Sequence, residues 1–205
     1  MPRPATGRTS RAWTCASIAL ALVLALSLSG CRAASQPPVA PPARDEVAQV
    51  TLSSHPVSTR TRIHRVYGRL PDARRKDVRR DVARLIDRWW EASYLGGTYP
   101  RTDFPDAFPG FTRGAERLAR ADKALLTNMT GGSRIESVTP RKRAITLDIM
   151  AVGTQARSVT ARFLLRFATT GAKQATTTVR GRLFLTRQRG PWRVFGYDVA
   201  KGSRA

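Results

Sequence analysis

The chain has 205 residues, carries 36 Lys or Arg against 14 Asp or Glu, and has a formal net charge of +22. That length suits one folded domain with a hydrophobic core of its own. Two cysteines, Cys15 and Cys31, are too few for a disulfide framework or an all-cysteine metal site, and the charge should attract anionic headgroups or acidic wall polymers.

Residues 1–30 have a basic start (Arg3, Arg8, Arg11), an apolar run from Cys15 to Leu28, and small residues at its end. This is the layout of a secretory signal peptide. The run of about 14 residues falls short of the roughly 20 that a spanning helix needs. The stretch Leu28-Ser29-Gly30-Cys31 resembles the lipobox of bacterial lipoproteins. The resemblance implies a diacylglyceryl group on the Cys31 thiol and a mature chain beginning at Cys31. Two acyl chains, at roughly 0.8 kcal/mol per buried CH₂, hold a protein stably without crossing the bilayer. The expected location is the extracytoplasmic face of the cell membrane, lipid-anchored. Cys15 leaves with the signal, so the mature domain has neither a free thiol nor a disulfide. Three arginines leave too, and the net charge falls from +22 to +19.

Residues 31–49 contain Pro37-Pro38 and Pro41-Pro42 and few apolar side chains, which predicts an extended tether. A single domain is expected over residues 50–205. Alternation around Thr59, Thr61, Ile63, Arg65 and Tyr67 allows one strand. The two histidines, His55 and His64, fall in this region without an acidic pattern beside them and read as surface residues. Residues 72–95 read as a helix. Asp72 is placed to cap it, and Val78, Val82, Leu85, Ile86 and Trp89 form one stripe, with Trp90 and Tyr94 on its flank. Gly96-Gly97 ends it.

The next stretch, residues 98–112, has three prolines and the aromatics Tyr99, Phe104, Phe108 and Phe111, so it should dock on the body rather than stay free. Residues 113–128 predict a second helix capped by Thr112, with Leu118, Leu125, Leu126 and Met129 as its apolar face. From Ser133 the apolar period changes to two. Runs ending at Ala151, Phe167, Thr186 and Val199, with turn signals between them, predict a four-strand antiparallel meander, with Arg134–Thr139 as a short fifth strand. The expected fold is α+β, with N-terminal helices packed on a curved antiparallel sheet of four to six strands.

The helix around Trp89-Trp90-Tyr94, the strands after it and the terminal Gly190-Pro191-Trp192-Arg193-Val194-Phe195-Gly196-Tyr197-Asp198 resemble the NTF2-like (SnoaL-like) superfamily over roughly residues 72–200. The chain is also similar to exported actinobacterial members, the Mce-associated proteins, although those usually carry a transmembrane helix where this chain has a lipobox. The resemblance implies a cone-shaped α+β domain with a pocket. Trp90, Tyr94, Phe104, Phe108 and Asp148 are the candidate pocket residues. Some members are isomerases or dehydratases, many only bind, and many form homodimers, so fold alone does not choose among them.

An isomerase of this kind needs a carboxylate base beside an oxyanion donor in an apolar site. Asp148 is the candidate base, and Tyr94 and Tyr67 are the candidate donors. No nucleophile-elbow, phosphate-loop, zinc-protease or EF-hand spacing is present. The sequence therefore favours a noncatalytic binding or scaffolding module of the cell envelope, with no metal and no cofactor. The alternatives are an envelope isomerase or dehydratase using Asp148, or a basic domain attracted to anionic lipids or wall polymers. Expected partners are the membrane, an envelope protein or anionic polymer, and a small apolar ligand in the cone. Nucleic acid is not expected, because the arginines look scattered along the chain without interleaved aromatics.

Overall fold

Four long strands decide the architecture: β2 (Val138–Val152), β3 (Gln155–Thr169), β4 (Ala175–Thr186) and β5 (Arg193–Arg204). The computed structural model describes residues 57–188 and 190–204. The expected signal peptide and tether, with Cys31 and His55, lie outside the described residues. β2 to β5 pair antiparallel in chain order, as the period-two runs predict. β1 (Arg60–Tyr67) adds a fifth strand beside β2, in the order β1-β2-β3-β4-β5.

The sheet is mixed, not antiparallel throughout, because β1 runs parallel to β2. A parallel neighbour needs a long crossover. Here the crossover is the whole helical segment between Tyr67 and Val138. The short strand expected at Arg134–Thr139 does not form separately. Gly132–Arg134 makes a single 3₁₀ turn, and β2 begins at Val138.

α1 (Asp72–Trp90) buries Val78, Val82, Leu85, Ile86, Trp89 and Trp90, the predicted stripe and its flank. Its cap differs from expectation. Pro71, with φ −61° and ψ 150°, occupies the N-cap position without a side-chain bond. Asp72 is instead a first-turn residue 3.4 Å from Arg75. Proline's fixed φ sets the entry, and the Pro71 carbonyl takes the Arg75 N–H at 3.0 Å.

The helix then widens into one π turn, Glu91–Leu95, which buries Ser93, Tyr94 and Leu95 together. The Gly96 N–H closes it onto the Glu91 carbonyl at 2.8 Å. The Tyr94 carbonyl at this helix end is satisfied by side chains. Asn128 Nδ2 donates to it at 2.8 Å and the Tyr99 hydroxyl at 2.9 Å. Asn128 also donates to Tyr99 Oη at 3.1 Å, while Ser93 Oγ donates to the Ala107 carbonyl at 2.6 Å. These bonds fasten the proline-rich loop, and Phe104, Phe108 and Phe111 enter the core with it. Arg101 closes the outside, its guanidinium 4.1 Å from the Phe104 ring centre. Asn128→Ala removes two side-chain hydrogen bonds, though the Tyr94 carbonyl keeps the Tyr99 hydroxyl, and should lower stability by about 1–3 kcal/mol in denaturant unfolding. A variant as stable as the parent would show that the Asn128 bonds add nothing to the loop's hold.

The second helix is broken in two. α2 (Arg113–Ala121) starts at Thr112, whose hydroxyl accepts from the Ala115 N–H as predicted, and α3 (Lys123–Leu126) follows Asp122. The buried face of α2 is Ala115 and Ala119, not Leu118, which is 63% exposed. Asp122 leaves helical geometry at φ −92° and ψ 21°, and the change of direction sends Leu126 inward and leaves Met129 exposed.

All of these elements cover one face of the sheet. Ile145, Leu147 and Ile149 of β2, Phe163, Leu165 and Phe167 of β3, and Val179, Leu183 and Leu185 of β4 meet them in one core. Trp89 lies at its centre, with ring centroids 5.3 Å from Phe163, 5.8 Å from Tyr94 and 6.2 Å from Phe111. Gly181 sits mid-strand on the core side of β4 at φ 155°, opposite Phe163 and Val199.

Candidate functional site: the open face of the sheet

A strand shows alternate side chains to opposite faces. The residues between the core positions therefore line the other face, and among the described residues no helix covers it. Register determines what gathers there. β1 supplies Arg60, Arg62 and Arg65, and β2 supplies Lys142. β3 supplies Arg162 and Arg166, β4 supplies Arg180 and Arg182, and β5 supplies Arg193 and Arg204. Against these ten cations the same positions carry two carboxylates, Asp148 and Asp198. The arginines that look scattered along the chain are thus assembled by strand pairing. Their signal is parity: eight lie in step with the polar positions of their own strands, while Arg65 and Arg193 join them because bulges at His64 and Phe195 shift the register. Gathering them into a patch also requires the register between strands.

Both carboxylates are taken. Arg182 Nη2 lies 2.6 Å from Asp198 Oδ2. Asp148 Oδ2 is 2.8 Å from Arg162 Nη2, and its Oδ1 is 2.8 Å from His64 Nδ1. His64 reaches Asp148 because the register slips between Ile63 and Arg65, leaving the histidine as the extra residue. Toward the far end of β3, β4 and β5 no carboxylate remains. A hollow there is lined by Arg166, Arg180 and Arg204 with Thr176 and Thr178; Ser203 borders it, but its hydroxyl bonds Thr177 on the core side at 2.8 Å. It exists because β5 presents the small Ala200 and Gly202 beneath those guanidiniums. Through Arg180 and Ala200 it continues into a second hollow beside Arg162, Arg182 and Asp198. Guanidinium forks and hydroxyls without a competing acid form a donor set for phosphate-like oxygens.

The opposite end of the same face is apolar. Tyr67 pairs with Met150 across β1 and β2, and they are 51% and 54% exposed. Val152 follows at the hairpin. Phe195 is also exposed and packs on Phe184, with centroids 6.3 Å apart.

The residues singled out for a pocket separate. Trp90, Tyr94, Phe104 and Phe108 are packed in the core. Asp148 lies on the other side of the sheet, its side chain 16% exposed. Tyr94 donates its hydroxyl to the Leu125 carbonyl at 3.0 Å, and burial pushes its pKa well up. Tyr67 is on the same face as Asp148, where its hydroxyl accepts from Arg65 at 3.5 Å. On the helix side, Asp87 is raised by burial, opposed by the Thr59 hydroxyl and by Arg143, with Glu91 pushing it further up. Among the described residues no three His, Cys, Asp or Glu side chains come together as a metal site requires. Among them, too, no helix is long and apolar enough to cross a membrane.

These features define an α+β domain: a mixed five-stranded sheet, helices over one face, and an open cationic face on the other. No protein-family model, curated protein or solved structure matches the chain.

Proposed function

We propose that the chain is an exported lipoprotein, held on the extracytoplasmic face of the cell membrane by lipid on Cys31, whose NTF2-like domain is a noncatalytic binding module of the envelope. The observation that carries the binding role is the open sheet face, where the Arg166, Arg180 and Arg204 hollow contains no acid. A long helix laid across an antiparallel meander supports the NTF2-like reading. The basic start, short apolar run and Leu-Ser-Gly-Cys stretch support the anchor. An acid/base enzyme has less support, since Asp148 already contacts Arg162 and His64 and stands across the sheet from Tyr94.

Intact mass and detergent-phase partitioning of the exported protein test the anchor. The expected result is a diacylglyceryl mass on a chain beginning at Cys31, with both the mass and the partitioning lost in Cys31→Ala. An unmodified protein in the aqueous phase would overturn it.

A further inference from the structure

We infer that the open face of the sheet docks flat on an anionic phospholipid surface, with its arginines on the headgroup phosphates and its apolar end in the interface. The inference rests on the reading that the chain is held at a membrane, and adds which face of the domain meets it. Three observations point the same way. The face is cationic far beyond its two carboxylates, both already paired. The hollow at Arg166, Arg180 and Arg204 offers guanidinium and hydroxyl donors with no acid among its lining. Tyr67, Met150, Val152 and Phe195 stand exposed at the other end of that same face.

Basic residues beside exposed aromatic and aliphatic side chains are the makeup of surfaces that lie in the membrane interface. A hydrophilic polyanion would engage the arginines but give the apolar end nothing. A second copy of the chain would bring ten cations against ten, and like-charge faces repel.

The test uses the mature chain, residues 31–205, carrying Cys31→Ala, so that no lipid contributes. Binding is measured to vesicles of phosphatidylglycerol with phosphatidylcholine and to vesicles of phosphatidylcholine alone. Binding to the first and not the second is expected, weakening as salt rises. Each basic residue near an anionic leaflet is worth about fivefold in affinity, so the triple variant Arg166→Gln, Arg180→Gln, Arg204→Gln should bind about 100-fold more weakly. A triple of equal charge on the helix side, Arg79→Gln, Arg113→Gln, Arg117→Gln, should lose far less. Tyr67→Ser with Met150→Ser should weaken vesicle binding about tenfold and leave binding of soluble polyphosphate unchanged.

All these positions are exposed, and circular dichroism checks that each variant folds. Should a triple misfold, the single Arg→Gln variants give the same comparison. Equal losses in the two triples would reduce the face to general charge attraction and overturn the inference. So would polyphosphate bound as tightly as vesicles with the Tyr67 and Met150 changes silent, which would assign the face to a polymer. Because the protein carries no lipid, these outcomes are independent of the mass found on Cys31.

Discussion

Gly181→Ala is expected to lower the free energy of unfolding by about 3–5 kcal/mol, a loss of about 10 °C in Tm for a domain of this size. Two costs add. At φ 155° a side chain is strained wherever it points. A Cβ there would also overlap the Asp198 carbonyl oxygen, and that atom is backbone, fixed in the β4–β5 ladder, so no rotamer change relieves the clash. Relief requires β5 to move off β4, taking with it the Arg182–Asp198 pair and the Val199 contact. Thermal unfolding followed by circular dichroism reads the effect. A Tm within about 2 °C of the parent would show that β4 can flatten at this point.

Trp89→Ala should cost about 3–5 kcal/mol. The side chain is fully buried and touches both layers of the core: Phe163 from the sheet, Tyr94 from the π turn and Phe111 from the loop. No one neighbour can fill that space, so the cavity persists. Trp89→Phe should cost much less, because the indole N–H it removes has no acceptor among the described residues. A buried unpaired donor is itself unfavourable by about 1–3 kcal/mol, and losing it offsets part of the lost contact. Denaturant midpoints of the two variants decide the matter. Equal losses would mean that the indole itself, and not the volume it fills, holds the centre of the core.

Period and punctuation made much of this fold legible in advance. The α1 stripe, the Thr112 cap and the meander are local: each depends on spacing within one segment. What escaped was set by contacts far apart in sequence. β1 lies parallel to β2 because the helical segment between them returns the chain to the same edge. The residues after Ser133 alternate, but only pairing with Thr169 and its neighbours decides where β2 begins. At α2, a leucine-counting rule selects Leu118, whereas close approach of the helix to the sheet favours the small Ala115 and Ala119. For the candidate site, the alternating apolar residues placed Asp148 on one face with Thr146 and Met150. Its partners, His64 and Arg162, come from two other strands, and no spacing within β2 reveals them.

The parallel pairing of β1 has a consequence for the order of folding. Arg60 pairs with Ala144, so β1 has no strand partner until most of the domain has emerged, whereas β2 to β5 can close as successive hairpins. During that wait β1 is an unpaired strand on a chain still emerging, the condition in which strands join the wrong partner. Arg60, Arg62 and Arg65 put three positive charges along its eight residues. Closely spaced like charges discourage two such strands from pairing with each other. The same arginines that line the finished face thus guard the chain before that face exists.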